Sequence, residues 1–331
     1  MKILITGITG FIGGAVCEKL LERSKDSIVA LIRPSTDKSR YEKFEQEGVN
    51  CKFVEMTNES AIQSLFDEFR FELVFHIAAI RGGRNFPKKD YFDANVNATK
   101  YIAKQCVKHK SKLIFCSSVG VFGAIPKELP PNENTLRQED NYYHFTKIEA
   151  EKELQNLKSV GLKFVIIRPS ITYGVGDYGF PYNLIKLVDS GLMLLPTKDI
   201  KINMADCKTM VQAFINAGNF DIPSGNTYNI ADKNPVSIKK LVNFISNELK
   251  GKNYPKWKIC PSFKFHFFEF IFSKIFKNEL WKARIQLISR DWFYDVSPAE
   301  EEIGLKTHDT IPSFKYVIEW YQEIKKRKLV K

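Results

Sequence analysis

The sequence holds 331 residues, 44% of them hydrophobic and 27% charged, the balance of a soluble globular protein with room for one large or two modest domains. No uninterrupted apolar run approaches about 20 residues, so a membrane-spanning helix is not expected; six scattered cysteines without a C-x-x-C pair speak against a zinc site or a disulfide framework. The net charge of +12 suits nucleic acid, an anionic membrane, an anionic substrate or a plain lysine-rich surface, but no nucleic-acid motif is present and the solvated surface is the simplest account.

Taken in chain order, the first half alternates short apolar strands with amphipathic helices. "KILIT" is a strand, and Gly7, Gly10 and Gly13 follow it. "GGAVCEKLLER" reads as a helix with Val16, Leu20 and Leu21 on one face. The strand "SIVALIR", the strand "CKFVEM", the helix "AIQSLFDEF" and the strand "LVFHIAA" come next. The helix "NATKYIAKQCVKH", the strand "KLIFCSS", the helix "YHFTKIEAEKELQNL" and the strand "KFVIIRPS" complete the pattern. Strands and helices in strict alternation predict an α/β fold, a doubly wound parallel sheet covered on both faces. Regularity fades after about residue 175; residues 225–251 read as one more strand, a loop and a helix. The N-terminus has one lysine, helix-weakening glycines and no small-residue cleavage site, and bulky Val16 precedes Cys17, so neither a secretion signal nor a lipoprotein anchor is expected there.

A strand, then glycines, then a helix is the arrangement that gives a glycine-rich loop meaning. The sharp turn favours glycine at positive φ, and close approach of a pyrophosphate excludes a Cβ. The helix N-terminus then offers unpaired N–H groups and the positive end of its dipole to phosphate.

The spacing Thr6-Gly7-Ile8-Thr9-Gly10-Phe11-Ile12-Gly13 resembles the extended short-chain dehydrogenase/reductase superfamily, the NAD(P)-dependent epimerase/dehydratase family. Further segments resemble it in order: "FHIAA", "ANVNAT" with Ala98 for the common glycine, "FCSSVGVFG", "YHFTKIEAE", "IIRPSITYG", "NMADCKTMVQAF", "TYNI" and "AEEEIGL". The resemblance implies a Rossmann domain over residues 1–172 and a smaller α/β substrate-binding domain over 173–331, with the strand near 227–230 returning to the first. It implies NAD or NADP as cofactor, held by Gly7, Thr9, Gly10, Phe11, Ile12 and Gly13, with Ala78, Ala79 and Pro169 alongside. A homodimer through helices near 97–109 and 143–156 and a cytoplasmic location are implied as well, with contact at the inner membrane surface as a further reading.

Tyr143 and Lys147 stand four apart and share a helical face. A phenol with a pKa near 10 is a poor base, and a nearby ammonium together with a nicotinamide cation lowers that value. The phenolate then takes the proton of a substrate hydroxyl as hydride leaves its carbon. The resemblance adds that Lys147 holds the nicotinamide ribose. Ser118 sits where the family carries its catalytic Ser/Thr, with Ser117 as competitor; a hydroxyl there donates to a developing oxyanion. Asn95 either orients the site or caps a helix. Arg33 ends the second strand, where NAD enzymes carry an acid, and so favours the 2′-phosphate of NADP, with Arg40 and Lys38 assisting. Glu55 and Met56 stand in the adenine position. Sugar dehydratases carry Asp-Glu after the catalytic Thr; Val119 and Gly120 here argue against elimination.

On the substrate side, "AIRGGRNF" places Arg81 and Arg84 in a loop that either meets an anion or is solvated, and Tyr173 is assigned to substrate. His76 reads as a packed histidine, and His144 as facing substrate or partner. In "SFKFHFFEFIFSKIF", Phe268, Phe272 and Ile275 share one face and Glu269, Ser273 and Lys277 the other. A core helix, a lid over an apolar substrate and an interfacial helix beside the basic tail "KKRKLVK" compete there. The Phe314, Val317, Ile318, Tyr321, Ile324 stripe reads as core packing. Two enzyme readings stay open: a nucleotide-sugar 4-epimerase, and an NADP(H)-dependent reductase or dehydrogenase of a hydrophobic sterol, flavonol or polyprenyl-linked ketone or alcohol. A dinucleotide-sensing regulator is the non-enzymatic third, against which the Tyr143/Lys147 pair argues.

Overall fold

The computed structural model describes residues 1–22, 26–132, 135–276 and 279–329; Lys277 and the end of the basic tail lie outside them. Seven parallel strands form one sheet: β1 (Lys2–Thr6), β2 (Ser27–Ile32), β3 (Asn50–Phe53), β4 (Leu73–His76), β5 (Lys112–Cys116), β6 (Lys163–Pro169) and β7 (Thr227–Ile230). Their order is β3-β2-β1-β4-β5-β6-β7. The chain therefore winds outward in both directions from β1 and β4, and the crevice beyond their C-terminal ends is the switch point of the sheet. Strands expected at 51–56, 73–79 and 112–118 stop earlier, because their last residues leave the ladder to line that crevice.

Alternation along the strands feeds two cores. Ile3 and Ile5 face one side, packing with Val16 and Leu20 of helix Phe11–Leu21 and Met210 and Phe214 of helix Cys207–Asn219. Leu4 faces the other, with Ile62 and Phe66 of helix Glu59–Phe69, Ile102 of helix Ala98–His109, and Leu154 of helix Tyr142–Lys158. A third core lies outside the sheet, among helices Phe180–Asp189, Ile238–Lys250 and Thr310–Leu329. Phe314, Val317, Ile318 and Tyr321 are buried in it as their periodicity predicts. Helix Cys207–Asn219 and β7 join the sheet layer although both lie beyond residue 172.

Two buried polar assemblies fix the strand ends. Glu151 accepts from Arg168 Nε at 2.8 Å and Nη2 at 2.5 Å, and from Ser117 Oγ at 2.5 Å. His76, at the end of β4, lies 2.9 Å from Thr6 Oγ1 through Nδ1 and 2.9 Å from Thr99 Oγ1 through Nε2. Thr99 gives its proton to the Asn95 carbonyl at 2.7 Å, so it accepts from Nε2, and Nδ1 is left to accept from Thr6. That arrangement requires a neutral ring, and burial, aided by the charge of Lys147, pushes the His76 pKa down to about 3 from 6.5. His76 is thus a satisfied core histidine.

Glu151→Ala leaves the buried Arg168 guanidinium unpaired and is expected to cost about 3–5 kcal/mol, read as a lower urea midpoint at unchanged slope. Because the unfolded chain takes up a proton at His76 that the folded chain refuses, stability from this site is full above pH 6.5 and falls as the pH drops toward 3. His76→Gln should flatten the acid limb of the stability curve by up to about 1.4 kcal/mol per pH unit; an unchanged limb would refute the assignment.

Candidate active site

The glycine loop is set by backbone crowding. Gly7 has φ +83°, and a Cβ there would lie 2.8 Å from the Ala78 amide nitrogen. A Cβ on Gly13 would lie 2.2 Å from the Gly7 carbonyl oxygen, so Gly13 seats the helix on the turn without lining the crevice. Gly10 is different: its nearest neighbour to a Cβ is Gly7 oxygen at 3.3 Å, and its free side opens on the crevice. Helix Phe11–Leu21 begins there with no side-chain cap and no acidic residue in its first turn. An uncapped N-terminus beside a bare Cα fits the pyrophosphate of a dinucleotide. Thr9, Phe11 and Ile12 line the same wall, and Ala78, Ala79 and Pro169 close it from the ends of β4 and β6.

Arg33, Glu55 and Met56 line the far end of the crevice, with Arg33 and Glu55 exposed. Arg40 joins them: its Nη2 donates to the Thr9 carbonyl at 2.7 Å, tying a second cation to the glycine loop. Lys38 does not line the crevice.

Helix Tyr142–Lys158 carries the chemical groups. Asn141 caps it, accepting from the His144 amide at 2.9 Å. Ser118 Oγ accepts from the Gly120 amide at 3.0 Å and lines the same crevice as Tyr143, while Ser117 turns inward to Glu151. Burial, with Cys116 adding to it, raises the Tyr143 pKa; the Ser118 hydroxyl and the charge of Arg81 act the other way. The lowering expected from Lys147 is not found among the chain's own groups. Lys147 is buried and donates to the Cys116 carbonyl at 2.8 Å, with its ammonium 4.9 Å from the Phe115 ring. Burial lowers its pKa against the opposing pull of Cys116 and Glu151.

Asn95 is neither a helix cap nor a crevice residue. It sits in a π turn, Asp93–Asn97, and its amide accepts from the Ile80 amide at 2.8 Å and donates to the Ile80 carbonyl and Thr146 Oγ1. It therefore braces the loop after β4 against the helix that carries Tyr143. Tyr173 is also corrected: it is fully buried and donates to Asp232 Oδ2 at 2.8 Å, because its side chain points into the third core and away from the crevice.

The substrate side gains residues that sequence patterns did not reveal. Arg81 spans the crevice to Asp177 at 3.8 Å, and burial raises the Asp177 carboxyl despite that charge. No motif marks Asp177; only the folded chain brings it opposite Arg81. His144 pairs with Asp140, an acid–histidine spacing of four on which the sequence offered a signal. The His144 ring fills the space a Cβ on Gly120 would need, 2.4 Å from Nε2, so Gly120 is small because His144 is there. Trp281, Arg284 and Ile288 of helix Glu279–Ser289 form the outer wall.

Known proteins bear on this geometry. Residues 3–231 match the sequence profile of the NAD dependent epimerase/dehydratase family. A UDP-glucose 4-epimerase of Vibrio cholerae is 26% identical over 335 aligned positions, 94% of this chain and 92% of the relative. A decarboxylating sterol-4-alpha-carboxylate 3-dehydrogenase of Schizosaccharomyces pombe is 27% identical over 193 positions, 57% of this chain and 55% of the relative. The crystal structure of UDP-glucuronic acid 4-epimerase from Bacillus cereus in complex with NAD shares the fold, with a TM-score of 0.76 at 20% identity over 98% of this chain and 99% of that one. With more than half its length matched by the family profile, and the sheet order and glycine loop in place, the chain belongs to the NAD-dependent epimerase/dehydratase family, enzymes of the extended short-chain dehydrogenase/reductase type.

Proposed function

We propose that this enzyme is an NAD(P)-dependent 4-epimerase of a nucleotide sugar, with Ser118, Tyr143 and Lys147 as its reacting set. The observation that carries the reading is that Ser118, Tyr143 and Lys147 line one crevice together with the uncapped glycine loop. Similarity along nearly the whole chain to a UDP-glucose 4-epimerase supports it.

A bound nicotinamide dinucleotide supplies the hydride acceptor and donor. The Tyr143 oxygen takes the proton of the substrate carbinol and later returns it to the ketone oxygen after the sugar has turned over. Ser118 donates to that same oxygen as charge develops on it. Lys147, anchored on the Cys116 carbonyl, presents its side chain to the cofactor's ribose hydroxyls. Asn95 acts as a positioning residue through Ile80 and Thr146. Arg81 gives the substrate phosphates a cation in exchange for Asp177. Two copies pair along helices Ala98–His109 and Tyr142–Lys158, in the cytoplasm; among the described residues no helix is long and apolar enough to cross a membrane.

Arg33 and Arg40 favour the second reading, an NADP(H)-dependent dehydrogenase of a hydrophobic alcohol, and a relative is named a sterol-4-alpha-carboxylate 3-dehydrogenase. The two separate on product: interconversion of UDP-sugars with no net nicotinamide absorbance change marks the first, a stoichiometric change the second.

Tyr143→Phe should lower turnover by about 10²–10⁴-fold while the dinucleotide still raises the melting temperature; full activity would sink the proposal. Arg33→Asp should weaken NADP(H) at least about tenfold relative to NAD(H) in a thermal-shift titration, whereas an unchanged ratio would remove Arg33 from cofactor choice.

A further inference from the structure

The phenylalanine-rich helix Ser262–Phe270 departs from the expected pattern, because Glu269 and Phe272, expected on opposite faces, both turn inward. Glu269, expected on the polar outer face, turns inward, where it accepts from Arg290 Nη2 at 2.6 Å and Gln286 Nε2 at 2.7 Å. Phe265 is buried at 4% exposure and Phe272 stacks on Trp281 at 5.6 Å, both on that inner side. The opposite stripe is Phe263, Phe267 and Phe270, spaced i, i+4, i+7, and these are 66%, 60% and 58% exposed. Ile275 and Phe276 extend it through the π turn Ile271–Ile275, and Trp257, exposed by 76%, stands nearby with Lys258 Nζ 4.1 Å over its ring.

A soluble surface rarely keeps so many large apolar side chains together. Their surroundings name the occupant. Between residues 252 and 276 the chain has five lysines (Lys252, Lys256, Lys258, Lys264 and Lys274) and a single acid, Glu269, which is spent inward on Arg290. An outward aromatic ridge with a cationic rim and no outward carboxylate is complementary to an anionic phospholipid surface: rings enter the acyl boundary, lysines reach headgroup phosphates, and tryptophan sits at the level between. We propose that residues 257–276 dock this protein on an anionic bilayer. Docking also sets the crevice mouth at the interface, because Phe272 leans on Trp281, which lines the crevice. The proposal is independent of the reaction assigned above.

Co-sedimentation of the full chain with vesicles tests it. Phosphatidylcholine vesicles with about one-third phosphatidylglycerol should bind at least about tenfold more protein than phosphatidylcholine alone, and about 0.5 M salt should weaken that binding severalfold. The triple variant Phe263→Ser/Phe267→Ser/Phe270→Ser should lose binding with its circular dichroism melt unchanged, since these side chains face outward. A second triple variant, Lys256→Gln/Lys258→Gln/Lys264→Gln, should lose only the preference for anionic lipid. The proposal is overturned by absence of binding, by equal binding of the serine variant, or by sedimentation velocity showing a self-association that the serine changes abolish, which would assign the ridge to a second copy.

Discussion

One carboxylate sets the geometry on which the site depends. Glu151 holds Arg168 of β6 and Ser117 at the end of β5, and it does so from a helix packed across both strands. Tyr143, Lys147 and Glu151 are spaced by four, so fixing the third fixes the rotation of the whole face. One turn earlier, Lys147 reaches the Cys116 carbonyl; one turn earlier again, Tyr143 meets Ser118. A buried ion pair of this kind contributes little net stability against its desolvation, but removing either partner is costly. Its value here lies in register.

The same face exposes a tension between packing and chemistry. Burial raises the Tyr143 phenol and lowers the Lys147 ammonium, so each is pushed toward its neutral form. Opposing this are local groups: Ser118 and Arg81 for the phenol, Cys116 and Glu151 for the ammonium. A site with both residues freely solvated would ionise more easily but would surrender the fixed distances that proton transfer needs. Asn95 serves the same end from below, joining the loop after β4 to Thr146 through a π turn that interrupts an otherwise regular helix.

What could be read in advance follows from how local the cause is. Strand and helix alternation is local, and it predicted the parallel sheet; the return of Thr227–Ile230 to its edge was implied only by the family resemblance. The glycine loop is local too: Gly7 and Gly13 answer to atoms within the same turn or the adjacent strand. Tyr173 and Asp177 were opaque because their partners, Asp232 and Arg81, are far off in sequence. Asp140 was legible at its spacing from His144 and was passed over. The Phe-rich segment misled for a sharper reason: the expected faces put Glu269 opposite Phe272, and a distant arginine turns Glu269 inward beside it.

That reversal ties the outer surface to the crevice by direct contact. Glu269 grips Arg290 and Gln286, and Gln286 belongs to helix Glu279–Ser289, whose Trp281, Arg284 and Ile288 form the wall facing the glycine loop. The opposite wall is rigid, pinned by the sheet and by Glu151. The outer wall is held by Leu287 and Ile288 against the third core, by the Trp292 Nε1 bond to the Leu287 carbonyl, by Glu269 and by the Phe272–Trp281 stack. The outward ridge therefore connects by direct contacts to a wall of the crevice.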